Sequence, residues 1–121
     1  MIKLFKQTFK LEFNDDLQEL AAIRILPGSR PFHRCEEDCL ILQDRWLVQV
    51  FCRRQKEQQG LSVLEKSLVF SGRLPWNQAF PKNIRIDYLK KPCCLSYKAE
   101  KTELLLTLAV LIEIDLELLS V

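Results

Sequence analysis

The last part of the chain alternates between apolar and polar residues over an unusual length. Every even position from 104 to 118 is apolar. The odd positions, in contrast, include five polar residues, Glu103, Thr107, Glu113, Asp115 and Glu117. In a helix the even positions would point all around the axis, but in a strand they share one face. The pattern predicts a strand, about 50 Å long at ~3.3 Å per residue, that either curves strongly or divides into two strands bent near Ala109.

Shorter alternating segments recur along the chain, at residues 5–13, 21–25, 46–52 and 84–88. Turn-forming residues such as the Pro27-Gly28 pair separate them. Roughly six to eight strands in a chain of this length predict one all-β domain over residues 1–121, an antiparallel β-sandwich. An alternative is an open β-barrel with one short helix near residues 61–68, because Leu61, Leu64 and Leu68 also fit a helical face.

Three segments are less regular. Residues 32–38 are mostly polar and predict a connection between strands. Asp44 and Arg45 interrupt an apolar stretch, and they mark either a hairpin turn or a bend in one long strand. Pro92 predicts the end of the strand that begins near Ile84, with a further strand over residues 94–98.

The charge balance limits the classes of partner. The chain carries 18 Lys+Arg against 16 Asp+Glu, so its net charge of +2 gives little general attraction to nucleic acid or membranes. No signal-peptide pattern follows the N-terminus, and acidic residues interrupt the apolar C-terminal segment. We therefore expect a cytoplasmic protein without a membrane span. The five cysteines, an odd number, are expected to be reduced there.

Few residues offer catalytic chemistry. His33 is the single histidine, and no Gly-x-Ser-x-Gly motif is present. The three glycines are too far apart to form a phosphate-binding loop. We therefore expect that the protein is not an enzyme and uses no cofactor.

The thiols and the histidine provide one candidate metal site. His33, Cys35, Cys39 and Cys93 are the donor types that ligate zinc tetrahedrally. Two alternatives stay open for these cysteines. They are either small core residues and loop thiols, or Cys35 and Cys39 form disulfides between chains.

Basic residues cluster at Arg53, Arg54 and Lys56, and again over residues 90–101. A second interpretation of the chain is therefore a small β-barrel that binds a ligand or single-stranded nucleic acid. It would use Trp76, Tyr88 and the Lys90-Lys91 pair, because aromatic rings stack on bases. A solvated hairpin tip and a charged sheet edge explain the same basic residues and agree better with the low net charge.

Large apolar residues occupy several positions where the alternation requires polar ones. Leu47 and Phe51 do so in one strand, and Leu105, Ala109, Leu111 and Leu119 do so in the last. Either both faces of the sheet are covered or a partner covers one of them. A chain of this size has little material for two faces, so we expect a protein partner or self-association into a homo-oligomer. The expected contact residues are Leu105, Leu111, Leu119, Trp76 and Phe80.

Four segments carry a resemblance to a known family. Residues 46–52, Trp-Leu-Val-Gln-Val-Phe-Cys, are similar to a family strand of the type "dkvivkGtvhkqifY", and residues 68–71 to its "ipFs" segment. Residues 84–98 take the place of "vqvhpviehvkf.l", and residues 104–118 are similar to the terminal "l.qkvvleifvkv" strand. Residues 39–119 thus resemble the SPOCS domain of sporulation and spore-coat morphogenetic proteins of Firmicutes. The resemblance implies a non-catalytic protein–protein interaction module in spore envelope assembly, in the mother-cell cytoplasm or the spore coat.

Overall fold

The computed structural model describes residues 1–14, 16–17, 19–53, 61–80 and 83–117. Within these residues the chain forms seven strands, β1 (Ile2–Glu12), β2 (Leu20–Leu26), β3 (Phe32–Glu36), β4 (Cys39–Arg53), β5 (Leu61–Pro75), β6 (Asn83–Glu100) and β7 (Glu103–Glu117). Sheet A has the order β1-β7-β6. In sheet B, β4 is central, with β5 on one side and with β2 and β3 end to end on the other. The two antiparallel sheets pack together, which confirms the β-sandwich prediction.

β7 is the central strand of sheet A and confirms that the C-terminal alternation is a strand. It pairs with β1 on one side and with β6 on the other. The even-numbered side chains from Leu104 to Ile114 point inward and are buried. Ala109 is paired on both sides, with Lys6 and with Cys93, so the segment is one strand rather than two.

β4 is the corresponding central strand of sheet B. Asp44 and Arg45 pair with Phe70 and Val69 of β5, so the chain passes through them without a turn. Of the two alternatives for this point, the structure therefore shows the single long strand. Its inward apolar side chains are fully buried, among them Leu40, Leu42, Trp46, Val48 and Val50.

Aromatic rings fill the centre of the sandwich. Trp46 stacks on Phe70 with the ring centroids 4.5 Å apart. Phe5 reaches across from β1 and packs edge-on against Phe70 at 5.8 Å, while Phe9 tilts against Trp46. A Cβ atom at Gly72 would lie 2.8 Å from the Phe5 ring, so glycine is needed where β5 approaches this ring. Side chains of both sheets thus share one core.

Two strands differ from the sequence-based expectations. Residues 32–36 are not a connection, because they form β3 and pair with β4. Their polarity fits an edge strand, since all five are exposed. Residues 61–68 are not helical, because pairing with β4 satisfies their backbone in a strand. The described strands form two separate sheets, so the open-barrel alternative is wrong. Nowhere in the described ranges is there a helix long and apolar enough to cross a membrane.

β6 continues through Pro92 instead of ending there. Its register with β7 shifts between Tyr88 and Lys90, between Lys90 and Cys93, and again before Ser96. Proline lacks an N–H group, but β6 is an edge strand, and β7 is the one described strand beside it in sheet A. Proline is tolerated at edges and bulges. The two strands predicted around Pro92 are therefore one irregular strand.

Candidate interaction surfaces

The four residues of the predicted zinc site are spread over both sheets. His33 and Cys35 lie on one side of β3, whereas Cys39 pairs with Glu36 and therefore lies on the opposite side of sheet B. Cys93 is on β6 in sheet A. In the part of the chain that the structure describes, no three His, Cys, Asp or Glu side chains are grouped as metal ligands. The structure does not bring the predicted donor set together.

The cysteines predicted to form disulfides between chains differ in accessibility. All five cysteines of the chain are free thiols. Cys35 is exposed, but Cys39 is 3% exposed. Only Cys35 of the two is therefore open to a second chain.

Trp76 and Phe80 pack together where the chain crosses from β5 to β6. Their rings stack with centroids 5.8 Å apart, and both rings rest on the core cluster. The backbone N–H of Trp76 donates to the Asp38 carbonyl oxygen at 2.7 Å. Trp76 Nε1 is buried and has no hydrogen-bond partner within the described residues. Both predicted contact residues are half-buried and cover the edge of the core.

Tyr88 takes part in a hydrogen-bonded chain that joins the two sheets. The Trp46 Nε1–H donates to the Tyr88 hydroxyl oxygen at 2.9 Å, and the Tyr88 hydroxyl donates to Asp44 Oδ2. Burial raises the pKa of Tyr88, and the hydrogen bond to Asp44 raises it further. Of the residues predicted to bind a ligand or nucleic acid, Tyr88 is therefore half-buried and bonded between the sheets, Trp76 packs on Phe80, and Lys90 and Lys91 are exposed.

Asp44 is the acceptor at the end of this chain, and its position is fixed by backbone groups. Gly28 N–H donates to Asp44 Oδ2 at 3.0 Å, and Arg45 N–H donates to Oδ1 at 2.8 Å. A Cβ atom at Gly28 would lie 2.9 Å from Oδ1, so the loop after β2 needs glycine here. Asp44 is the one buried charged residue among those described. In the sequence, Asp44 lies two residues before Trp46 and would share its face in a strand. The alternative of a hairpin turn at Asp44 and Arg45 obscured this signal.

The outer face of sheet A carries a nearly balanced mixture of charges. Its basic members are Lys6, Lys10, Lys90, Lys98 and Arg85, and its acidic members are Glu12, Asp87, Glu100, Glu103, Glu113 and Asp115. Several of these charges pair with each other. Lys10 Nζ lies 3.1 Å from Glu103 Oε1, and this hydrogen bond raises the pKa of Lys10. Arg85 Nε lies 2.9 Å from Asp87 Oδ2.

The predicted contact residues of the last segment lie on this outer face of sheet A. Leu105 is 44% exposed and pairs with Lys10 and Lys98. Leu111 is half-buried beside Leu4. Ala109 also points outward but is buried, and Leu119 lies outside the described residues, as do Arg54 and Lys56.

The outer face of sheet B has a different composition, and sequence analysis did not identify it. Among the described residues, five exposed arginines from four strands project from it, which are Arg24, Arg34, Arg45, Arg53 and Arg73. The described carboxylates on this face are Glu36 and Glu65. We call this surface the arginine face. Its arginines are far apart in sequence, so only the strand register brings them together.

Apolar side chains separate the basic rows of the arginine face. Leu26 pairs with Leu47 in one row, and Phe51 pairs with Ala22 and Val63 in another. The row between them holds Arg24, Gln49 and Glu65. Phe32 and Val69, elsewhere on the face, are 76% and 56% exposed. Arginine and aromatic residues are enriched in protein–protein interfaces, whereas lysine and glutamate are depleted, so this face has the composition of a contact surface.

No family model, no curated protein and no solved structure matches the chain.

Proposed function

We propose that the protein is a non-catalytic interaction module that binds a carboxylate-bearing protein surface through its arginine face. The supporting observation is the excess of arginine on that face, five against two glutamates among the described residues, between rows of half-buried and exposed apolar side chains. The resemblance to the SPOCS domain makes spore envelope assembly, in the mother-cell cytoplasm or the coat, the proposed setting.

The hydrogen-bonding state of the arginines supports an acidic partner. Within the described part of the chain, Arg24 and Arg45 form no ion pair, whereas Arg34 contacts Glu36 at 3.0 Å. A guanidinium group presents parallel N–H donors that match a carboxylate, and it loses less hydration on contact than an ammonium group. Arg24 and Arg45 are therefore available to a partner.

The apolar rows favour a protein over a nucleic acid. Leu47, Phe51 and Val63 would gain from contact with apolar side chains, and a phosphate backbone offers none. Glu36 and Glu65 on the same face would also repel closely spaced phosphates. Protein surfaces provide carboxylates and apolar groups together.

The test uses a random copolymer of glutamate and tyrosine as the probe, with fluorescence anisotropy as the readout. The Arg24→Glu/Arg45→Glu variant should bind the copolymer roughly tenfold or more weakly, because two attractive charges become repulsive. The matched control is Lys6→Glu/Lys90→Glu, which makes the same charge change on the outer face of sheet A and should have a much smaller effect. Equal losses in both variants would contradict the proposal.

Single-stranded DNA of similar charge serves as the competing probe. We expect it to bind more weakly than the copolymer at equal ionic strength. If the DNA binds more tightly and the same arginine variant loses this binding, the arginine face recognises nucleic acid, and the proposed protein partner is wrong.

A further inference from the structure

β3 is a sheet edge with fewer protective features than the other edges of the molecule. All five of its residues, Phe32–Glu36, are exposed, and β4 is the one described strand with which it pairs. Natural sheets protect such edges with charged side chains, above all lysine, with proline or bulges, or by keeping the edge strand short. β3 is five residues long and carries Arg34 and Glu36. β3 contains no lysine or proline, and its register with β4 has no shift. An edge of this kind can accept another strand through its free backbone groups.

The other edges show how protection looks in the same molecule. β6 has three register shifts, contains Pro92 and carries Lys90 and Lys91. β1 has lysines at positions 3, 6 and 10. β2, which continues the β3 edge of sheet B, lies beside β6. The other edge of sheet B, β5, contains Lys66 and Pro75. Among the described edges, β3 is thus the one without lysine, proline or a register shift.

We propose that two copies of the chain pair antiparallel through their β3 strands about a two-fold axis at Cys35. This inference rests on the proposed function as an assembly module, and it names a second copy as one partner. The pairing would extend sheet B across both copies. Because the axis is perpendicular to the sheet, the two arginine faces would lie side by side on the same surface.

Charge complementarity selects the register. A two-fold axis perpendicular to the sheet places one residue of β3 directly opposite the same residue of the second copy. A register shifted by one residue would put outward residues of one copy beside inward residues of the other. An axis at Arg34 would place Arg34 opposite its own copy, which is repulsive. An axis at Cys35 instead places Arg34 opposite Glu36 of the second copy, and does so twice. Each Arg34, which contacts Glu36 of its own strand at 3.0 Å, would then also face Glu36 of the second copy. This register therefore adds two favourable cross-strand pairs.

The same register provides a chemical reporter. Cys35 would face Cys35 of the second copy, and directly opposed residues of antiparallel strands have Cα atoms about 4.5–5.5 Å apart. That separation lies within the range that a disulfide can bridge. Cys35 is exposed, so an added oxidant can reach it.

The experiment measures the rate of cross-linking by diamide on non-reducing gels. Two Cys35 thiols would lose two protons and two electrons, which diamide takes up as its hydrazine, and one S–S bond would form. We expect a disulfide dimer from the unaltered chain and from Cys93→Ser, which removes the other exposed thiol. We expect no dimer from Cys35→Ser. A dimer that depends on Cys93 would overturn the proposal.

Charge variants separate a specific pair from random collision of exposed thiols. Arg34→Glu should slow cross-linking roughly tenfold, because both cross-strand pairs become repulsive. The double variant Arg34→Glu/Glu36→Arg should restore the rate, because it exchanges the two charges. Failure of this rescue, with both variants folded by circular dichroism, would exclude the register.

The copolymer assay distinguishes the two proposals. Loss of the dimer with normal copolymer binding would remove only the β3 contact. If the charge exchange restores cross-linking but the chain does not bind the copolymer, only the proposed function of the arginine face is contradicted.

Discussion

Among the described side chains, sheet A presents five basic groups outward with six carboxylates, whereas sheet B presents five arginines with two carboxylates. Their edges differ in the same sense, since β6 is irregular and contains Pro92, but β3 is regular and fully exposed. The net charge of +2 describes neither sheet, because it averages over both. The kind of partner therefore has to be inferred from the charges of each outer face separately.

The two sheets nevertheless depend on one interior. Trp46 of sheet B stacks on Phe70 and also contacts Phe9 of sheet A. The hydrogen bonds from Trp46 to Tyr88 and from Tyr88 to Asp44 cross the same boundary. Substitutions on the outer faces can therefore be compared without altering this core. A substitution in the core, in contrast, should affect both sheets.

The largest effect is expected when the shared core is disrupted. Trp46→Ala should lower the free energy of unfolding by about 3–5 kcal/mol, because it removes a fully buried ring and the donor to Tyr88. Urea unfolding followed by circular dichroism measures this loss. We expect a single transition, since both sheets lose the same support. Two separate transitions would show that the two sheets unfold independently of each other.

The link through Tyr88 predicts a dependence on alkaline pH. Burial and the hydrogen bond to Asp44 raise the pKa of Tyr88 in the folded state above its unfolded value of about 10. The unfolded chain therefore loses this proton first, so stability is unaffected by Tyr88 below about pH 10 and falls as the pH rises above it. Urea midpoints measured across this range should fall less steeply in Tyr88→Phe. Equal slopes in the two proteins would show that the hydroxyl is not buried between the sheets.

A matched pair of apolar substitutions compares the outer faces directly. Phe51→Glu on the arginine face should weaken copolymer binding roughly tenfold, because it removes an apolar contact and adds a repulsive charge. Leu111→Glu on the outer face of sheet A should change it much less. Both side chains are half-buried on outer faces, so both variants should remain folded by circular dichroism. A larger effect of Leu111→Glu would place the contact surface at Leu105 and Leu111, as the sequence alternation predicts.

Periodicity predicted the sandwich because long strands with one buried face leave a clear alternation, as in β7 and the second half of β4. It failed at β3, whose edge position leaves both faces exposed and therefore removes the alternation. It also failed to extend β6 through Pro92, since the sequence does not show which backbone N–H groups lie on a free edge.

The candidate site was harder to predict than the fold. The arginine face depends on register, which places Arg24 beside Gln49 and Arg34 beside Ile41 on a common surface. Residues on separate strands become neighbours only after pairing, so no local pattern identifies them. Leu47 and Phe51 were the one local signal, as apolar residues at positions where polar ones are expected.

The smallest effect is expected from a neutral substitution on the outer face of sheet A. The hydroxyls of Thr8 and Thr107 lie 3.1 Å apart on paired strands, and this hydrogen bond is exposed to solvent. Thr8→Val keeps the branched shape and the strand preference, and water replaces the lost partner at Thr107. The free energy of unfolding should therefore change by no more than about 0.5 kcal/mol, and copolymer binding should be unchanged. A loss of binding in urea-stable Thr8→Val would place a contact on sheet A, and the contrast between the two outer faces would not hold.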